Sequence, residues 1–194
     1  MNEKLKRLLI SSAGKLESIR KITEHEVSAM GTRLRMLILT DYIKKESLAK
    51  IASEEKFSSV SVVSIFETVR RTSADVKIGV LSGSLVILPN TVDLSEIKCK
   101  KEVIPGTDYY TVTFSGAMHR GVDFVGELFE AGEIQILIGT KSLLGEGWDS
   151  PCINSLILAS FVGSFVLSNQ MRGRAIRTDK NDPEKVANIW HLVT

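Results

Sequence analysis

From Tyr109 onward the chain alternates short apolar runs with stretches of helical periodicity, and this alternation restricts the fold more than any other feature. Tyr109-Tyr110-Thr111-Val112-Thr113-Phe114 reads as a strand. A helix is expected around Val122 to Ala131, a strand from Ile134 to Ile138, and a short helix from Ser142. A strand at Ser155 to Ala159, a helix around Phe165 to Ile176 and a strand at Val186 to Val193 complete the pattern. Strands and helices on this spacing make βαβ units, and therefore a parallel sheet covered by helices on both faces.

The upstream half is read in the same way. Arg35-Met36-Leu37-Ile38-Leu39-Thr40-Asp41 is almost wholly apolar until its last two residues, as expected for a central parallel strand whose carboxyl end faces a site. Val76 to Leu81 is a second such run. Before them, Leu5, Leu8, Leu9, Leu16, Ile19, Ile22 and Val27 recur at helical spacing among charged residues, with a potential break at Ser11 to Gly14 and a stop at Gly31. Between Tyr42 and Arg71 the intervals predict two helices, with Ser58 and Ser59 as the cap between them. The segment from Ser82 to Asp108 lacks long periodicity, contains Pro89, Pro105 and Lys98-Cys99-Lys100-Lys101, and reads as a hairpin or surface excursion. The expected organisation is an N-terminal helical segment, 1–31, followed by one α/β domain, 32–194.

Composition agrees with one domain: 194 residues, 43% hydrophobic and 25% charged, suffice for one ordinary core. The net charge of +2 announces no nucleic-acid partner, so any such contact must be local. Cys99 and Cys152 are far apart and form no Cys-x-x-Cys pair, which argues against a disulfide framework and against a zinc site and makes a reducing cytoplasm the natural setting. The apolar run Leu8-Leu9-Ile10 is too short for a signal-peptide core, and no stretch is long enough to span a bilayer. Neither secretion nor membrane insertion is expected.

Two stretches could carry chemistry. In the first, the buried strand runs into Gly139-Thr140-Lys141-Ser142-Leu143-Leu144-Gly145-Glu146-Gly147-Trp148-Asp149-Ser150-Pro151. A helix starting near Ser142 would present free N–H groups and the positive end of its dipole to an anion, with the Thr140 hydroxyl as a further donor. Gly145 and Gly147 permit a tight return, which would bring the Asp149 carboxylate to the same sheet edge, within reach of a ribose hydroxyl. Polar residues and glycines at a sheet edge are also ordinary in α/β domains, so this stretch alone does not decide.

The second stretch is Ser168-Asn169-Gln170-Met171-Arg172-Gly173-Arg174-Ala175-Ile176-Arg177. On a helix Gln170, Arg174 and Arg177 share one face. Two guanidiniums so placed repel one another unless an anion lies between them, and a triphosphate developing charge on its γ-phosphoryl group is such an anion. Arg172 points elsewhere. Gly173, inside the helix, costs roughly 1 kcal/mol relative to Ala, which suggests a close approach of some other group. A solvated basic face is the bland alternative.

Together these stretches resemble motifs V and VI of the superfamily 2 helicases, in the right order and at about the right separation. The final motif of that family is similar to Q-x-x-G-R-x-x-R, which falls on Gln170, Gly173, Arg174 and Arg177; the earlier Gly-x-Asp pair falls on Gly147 and Asp149. Leu37 to Asp41 looks like the strand of motif IV, and Glu127 to Ile134 is similar to the helix and turn that precede motif V. The likeness runs from about residue 33 to 193, weakest over 82–108. It implies a RecA-like three-layer sandwich with a mainly parallel central sheet. It further implies that Arg174 and Arg177 are arginine fingers reaching the phosphates of ATP, that Gly147 and Asp149 line the nucleotide side, and that Gln170 couples the two. Thr40, Thr140 and Lys141 are the implied nucleic-acid contacts, with DNA the expected polymer. The wording of both motifs looks closest to the branch containing restriction-enzyme motor subunits. Lys141 replaces an acidic residue common after the threonine in DEAD-box relatives, so that contact does not carry over.

A motor of this kind also needs a Gly-x-x-x-x-Gly-Lys-Ser/Thr loop and an acidic metal-holding strand end. Gly14-Lys15-Leu16 fails as the loop, and no Asp-Glu-x-His or Asp-Glu-x-Asp run occurs. ATP and its Mg²⁺ are therefore expected to sit mainly on an N-terminal RecA-like domain of the same full-length protein or of a partner subunit, and the chain by itself is expected to be inactive. His25, His119 and His191 lack metal-ligand spacing, so no metal site is expected. Cys152 has no paired base, and Trp148 and Trp190 are expected in packing, although Trp148 is placed to stack on a base. Two other readings compete: a non-catalytic RecA-like module that docks protein or nucleic acid, which has no need of converging guanidiniums, and a Rossmann-like enzyme, which lacks the Gly-x-Gly-x-x-Gly turn.

Overall fold

The computed structural model describes residues 3–73, 75–115, 118–140, 150–159, 165–179, 182 and 184–192. The strands are β1 (Met36–Thr40), β2 (Ile78–Leu81), β3 (Val86–Pro89), β4 (Cys99–Val103), β5 (Tyr109–Phe114), β6 (Ile136–Thr140), β7 (Ser155–Leu158) and β8 (Asn188–His191). The helices are α1 (Glu3–Met30), α2 (Val62–Thr72), α3 (Met118–Ala131) and α4 (Phe165–Ala175), with short 3-10 turns at Gly31–Arg33 and Lys45–Lys50. One sheet holds all eight strands in the order β4-β5-β3-β2-β6-β1-β7-β8. From β2 to β8 neighbours are parallel, and β3, β5 and β4 extend the β2 side in antiparallel fashion.

Side-chain alternation explains why the central strands read as unbroken apolar runs. Met36 and Ile38 of β1, with Ile136 and Ile138 of β6, enter the cluster formed with Ile19 of α1 and Val63, Phe66 and Val69 of α2. Leu37 and Leu39, with Leu137 and Leu156, enter the opposite cluster, where Val125 and Phe129 of α3 and Ala175 of α4 close it. The sheet is thus buried on both faces, which requires apolar residues at successive positions.

The N-terminal helix is continuous through Ser11 to Gly14, where a break was plausible. Its inner face is held by the half-buried Leu16, Ile22 and Val27 around the fully buried Ile19. Its outer face carries Arg20 bridging Glu17 and Glu24, at spacings of three and four residues. The helix ends at Gly31, whose φ of +56° suits glycine. Glu26, fully buried, accepts hydrogen bonds from Trp190 Nε1 at 2.6 Å and from Asn188 Nδ2 at 3.1 Å, so α1 is tied to β8.

Two expectations change. Between Tyr42 and Arg71 there is one α-helix and one 3-10 turn, and the cap is Ser61 rather than Ser58 or Ser59. Lys44 and Ala52 adopt positive φ, which no α-helix can accommodate, while Ser61 and Ser64 form a reciprocal capping box. The segment 82–108 is no excursion: its hairpin strand β3 is buried within the sheet, and β4 forms its edge. Gly132 closes α3 at φ +81°, a conformation in which an L side chain is strained, and a Cβ there would also displace the Arg35 guanidinium.

Candidate functional site

The carboxyl ends of the parallel strands meet along one edge of the sheet. Thr40 ends β1 and Thr140 ends β6, and the two are register partners, so their side chains stand side by side on the α1–α2 face. Thr40 is 0% and Thr140 4% exposed. The Thr40 hydroxyl has no hydrogen-bond partner among the described residues, an arrangement that costs about 1–3 kcal/mol. Asp41 follows at the exposed surface. Lys141, Gly147 and Asp149, with the expected helix from Ser142 and Trp148, lie outside the described residues.

The opposite, amino-terminal edge collects the rest. Gln170 is exposed and Arg174 half-buried on α4, the face expected from their spacing. Arg177 differs from expectation: it stands two residues beyond the helix end, exposed, in a turn where its N–H donates to Arg174 O at 3.2 Å and that of Ile176 to Arg172 O at 3.1 Å. The turn, not the helix, therefore sets its direction. Gly173 also differs, since among the described residues a Cβ there meets nothing within 4 Å.

Because α4 runs back from β7, its end returns to the strand starts. Thr178, Asp179, Asp182 and Lys185 border a cavity of about 540 Å³ together with Arg33, Arg35, Cys152 and Asn154, which precede β1 and β7. Asn154 shapes that wall by accepting from Arg35 N and donating to Arg33 O, each at 2.7 Å. Ser150, the residue after Asp149, is fully buried here, its hydroxyl donating to Glu130 Oε1 at 3.2 Å.

Electrostatics at this edge follow from burial. Burial pushes the Cys152 thiol up, with the Ser150 hydroxyl 3.1 Å away pulling the other way, which leaves it a poor nucleophile and fits a packing role. Burial likewise pushes the Lys185 ammonium down, against the pull of Asp179, Cys152 and Asp182. Lys185 donates to the backbone oxygens of Pro151 and, at 3.2 Å, Ala175. Sequence reasoning passed over Lys185, Glu130 and Glu26, whose roles come from partners remote in the chain and carry no spacing signal.

Solved structures similar to this fold include the following two. The C-terminal part of the Fun30 ATPase domain superposes with a TM-score of 0.53 at 19% identity, over 93% of this chain and 41% of that one. The fold is RecA-like. The helicase domain of Pyrococcus furiosus Hef aligns with a TM-score of 0.49 at 16% identity, over 93% of this chain and 26% of that one. The chain thus spans well under half of either relative. No protein-family profile matches it, and no curated protein does. Among the described residues no helix is long and apolar enough to cross a membrane.

Proposed function

We propose that this chain is the second motor domain of an ATP-dependent DNA helicase or translocase of superfamily 2, from the branch containing restriction-enzyme motor subunits. One observation carries the reading. Gln170 to Arg177 form the surface end and exit of the helix that follows β7 in a RecA-like sheet, beside the chain that leaves Asp149. A guanidinium pair there offers planar, permanently charged donors to phosphate oxygens.

In this reading Arg174 and Arg177 stabilise charge developing on the γ-phosphoryl group, Gly147 and Asp149 line the nucleotide, and Gln170 links the two. ATP supplies the phosphoryl group, and its Mg²⁺ is held by an N-terminal RecA-like domain in the same protein or a partner subunit. The sequence of 194 residues has no phosphate-cradling Gly-Lys-Ser/Thr loop of its own. At the other edge Thr140 and Lys141 meet the nucleic-acid backbone. Thr40 stands beside Thr140 as its register partner, and its buried hydroxyl is the third polar group of this edge in the reading.

The test is ATP turnover. The chain alone is expected to hydrolyse no ATP. In the complete motor, Arg174→Ala or Arg177→Ala is expected to lower DNA-stimulated turnover by about 10³–10⁵-fold, while the chain stays folded. Hydrolysis by the chain alone that Arg174→Ala abolishes would overturn the reading, and so would a motor indifferent to both substitutions. Indifference is what a non-catalytic docking module produces.

A further inference from the structure

Lys185 lies just ahead of β8, and its ammonium joins two segments far apart in sequence. It donates to the carbonyl oxygen of Pro151 and, at 3.2 Å, to that of Ala175, the last residue of α4. Pro151 comes two residues after Asp149, and Ala175 two residues before Arg177. We propose that Lys185 is a positioning residue that holds the exit of the Gly147–Asp149 segment against the end of the finger helix. The inference rests on the finger reading above, and it assigns to Lys185 the common frame that the two halves of a nucleotide face require.

Both gripped points are rigid. On one side, Ser150 is fully buried and bonded to Glu130, and the Ile153 N–H donates to Ser150 O at 3.3 Å, so the turn bearing the Pro151 carbonyl is fixed. On the other, Ala175 is fully buried against the sheet. The last carbonyls of a helix lack intrahelical partners and are usually satisfied by a glycine-based turn. Ile176, Arg177 and Thr178 follow α4 with no glycine, and the Lys185 cation takes that place, where the helix dipole favours it. An ammonium with three donors can hold two carbonyls at once, and an apolar side chain of the same length can hold neither. Displacement of catalytic groups by about 1 Å costs roughly 10²-fold in rate, so a link that grips the chain two residues after Asp149 and two before Arg177 bears on turnover.

The experiment compares Lys185→Met and Lys185→Arg with the unaltered chain by amide hydrogen exchange. Lys185→Met is expected to speed exchange about tenfold both at Cys152–Ile153 and at Arg172–Arg177, leaving β1 and β6 unchanged, and Lys185→Arg is expected to restore most of the protection. In the intact motor, Lys185→Met is expected to lower kcat by about 10²-fold with little change in KM for ATP, and Lys185→Arg to rescue it. Loosening of only one segment, of neither, or a failure of Lys185→Arg to restore both overturns the proposal. Should Lys185→Met unfold the chain, Lys185→Gln takes its place, and equal protection in the Gln and Arg variants is then the overturning result. If both segments loosen together yet Arg174→Ala leaves turnover intact, the finger reading fails and the link stands; the reverse pair of results removes the link alone.

Discussion

Glu67 is 1% exposed and ionised, and the groups around it make that tenable. Burial alone would raise its carboxyl, but the Arg70 and Arg71 guanidiniums and the Ala52 N–H outweigh it and hold the group below the usual glutamate range. Arg70 and Arg71 donate at 2.7 Å, and their side chains are 23% and 46% exposed. Because both cations can hydrate when released, Glu67→Gln should cost about 1–3 kcal/mol rather than the 3–5 kcal/mol of breaking a fully buried pair. A lowered folded-state value means that the contribution is present above the unfolded value, about 4.3, and is lost as pH falls through the folded one. Urea unfolding of both proteins from about pH 7 down to about pH 3 should therefore show the gap between them narrowing; a gap that stays constant would mean the charge is not what Glu67 contributes. The burial of Glu67 was not legible in the sequence, because it depends on packing and on contacts such as the Ala52 N–H, 15 residues away. The stretch from Gln170 to Arg177 stands out in the sequence because its residues recur at local spacing, whereas Lys185 and Glu26 act through contacts 34 and 164 residues away.

At the level of elements, the strands buried on both faces were the easiest to read: β1, β2 and β7 fall within one or two residues of the apolar runs that announced them. The edge strand β4, Cys99-Lys100-Lys101-Glu102-Val103, was not, because all but its first residue are exposed and its lysines suit a strand that must not recruit another chain. Its identity depends on pairing with β5, which no local pattern records. The start of α2 was missed for a related reason. Ser58, Ser59 and Ser61 all qualify as caps, and the choice falls on Ser61 because Ser64 lies three residues later to reciprocate, while Tyr42 O receives the Val62 N–H at 2.8 Å. Ser61→Ala should therefore destabilise the chain by about 0.5–2 kcal/mol, whereas Ser58→Ala should stay within about 0.5 kcal/mol of the unaltered protein. Thermal midpoints of the two variants check this, and equal losses at both positions would contradict the assignment.

At the scale of the molecule, α1 functions as part of one layer and not as an appendage. The sheet is covered on one face by α3 and by α4, the helix that holds Gln170 and Arg174, and on the other by α1 and α2. Leu16, Ile19, Ile22, Val27 and Met30 lie on that second face, and Glu26 joins α1 to the strand farthest along the sheet from the β4 edge. At roughly 1 kcal/mol or more for each side chain, allowing for those only half-buried, the helix contributes about 5 kcal/mol or more, which is comparable to the whole stability of an ordinary domain at about 5–15 kcal/mol. Removing residues 1–31 would also open Met36, Ile38 and Phe66 to water. The shortened chain is expected to lose its cooperative thermal transition and to bind a hydrophobic dye while keeping much of its far-ultraviolet dichroism, the signature of a sheet that has lost one cover. Because α1 lies across the sheet from α4, any loss of ATP turnover in a motor lacking it should track this unfolding and be recovered by stabilising solutes such as sucrose. Arg174→Ala turnover should not recover under the same conditions. A shortened chain that melts cooperatively within a few degrees of the longer one would place α1 outside the folding unit.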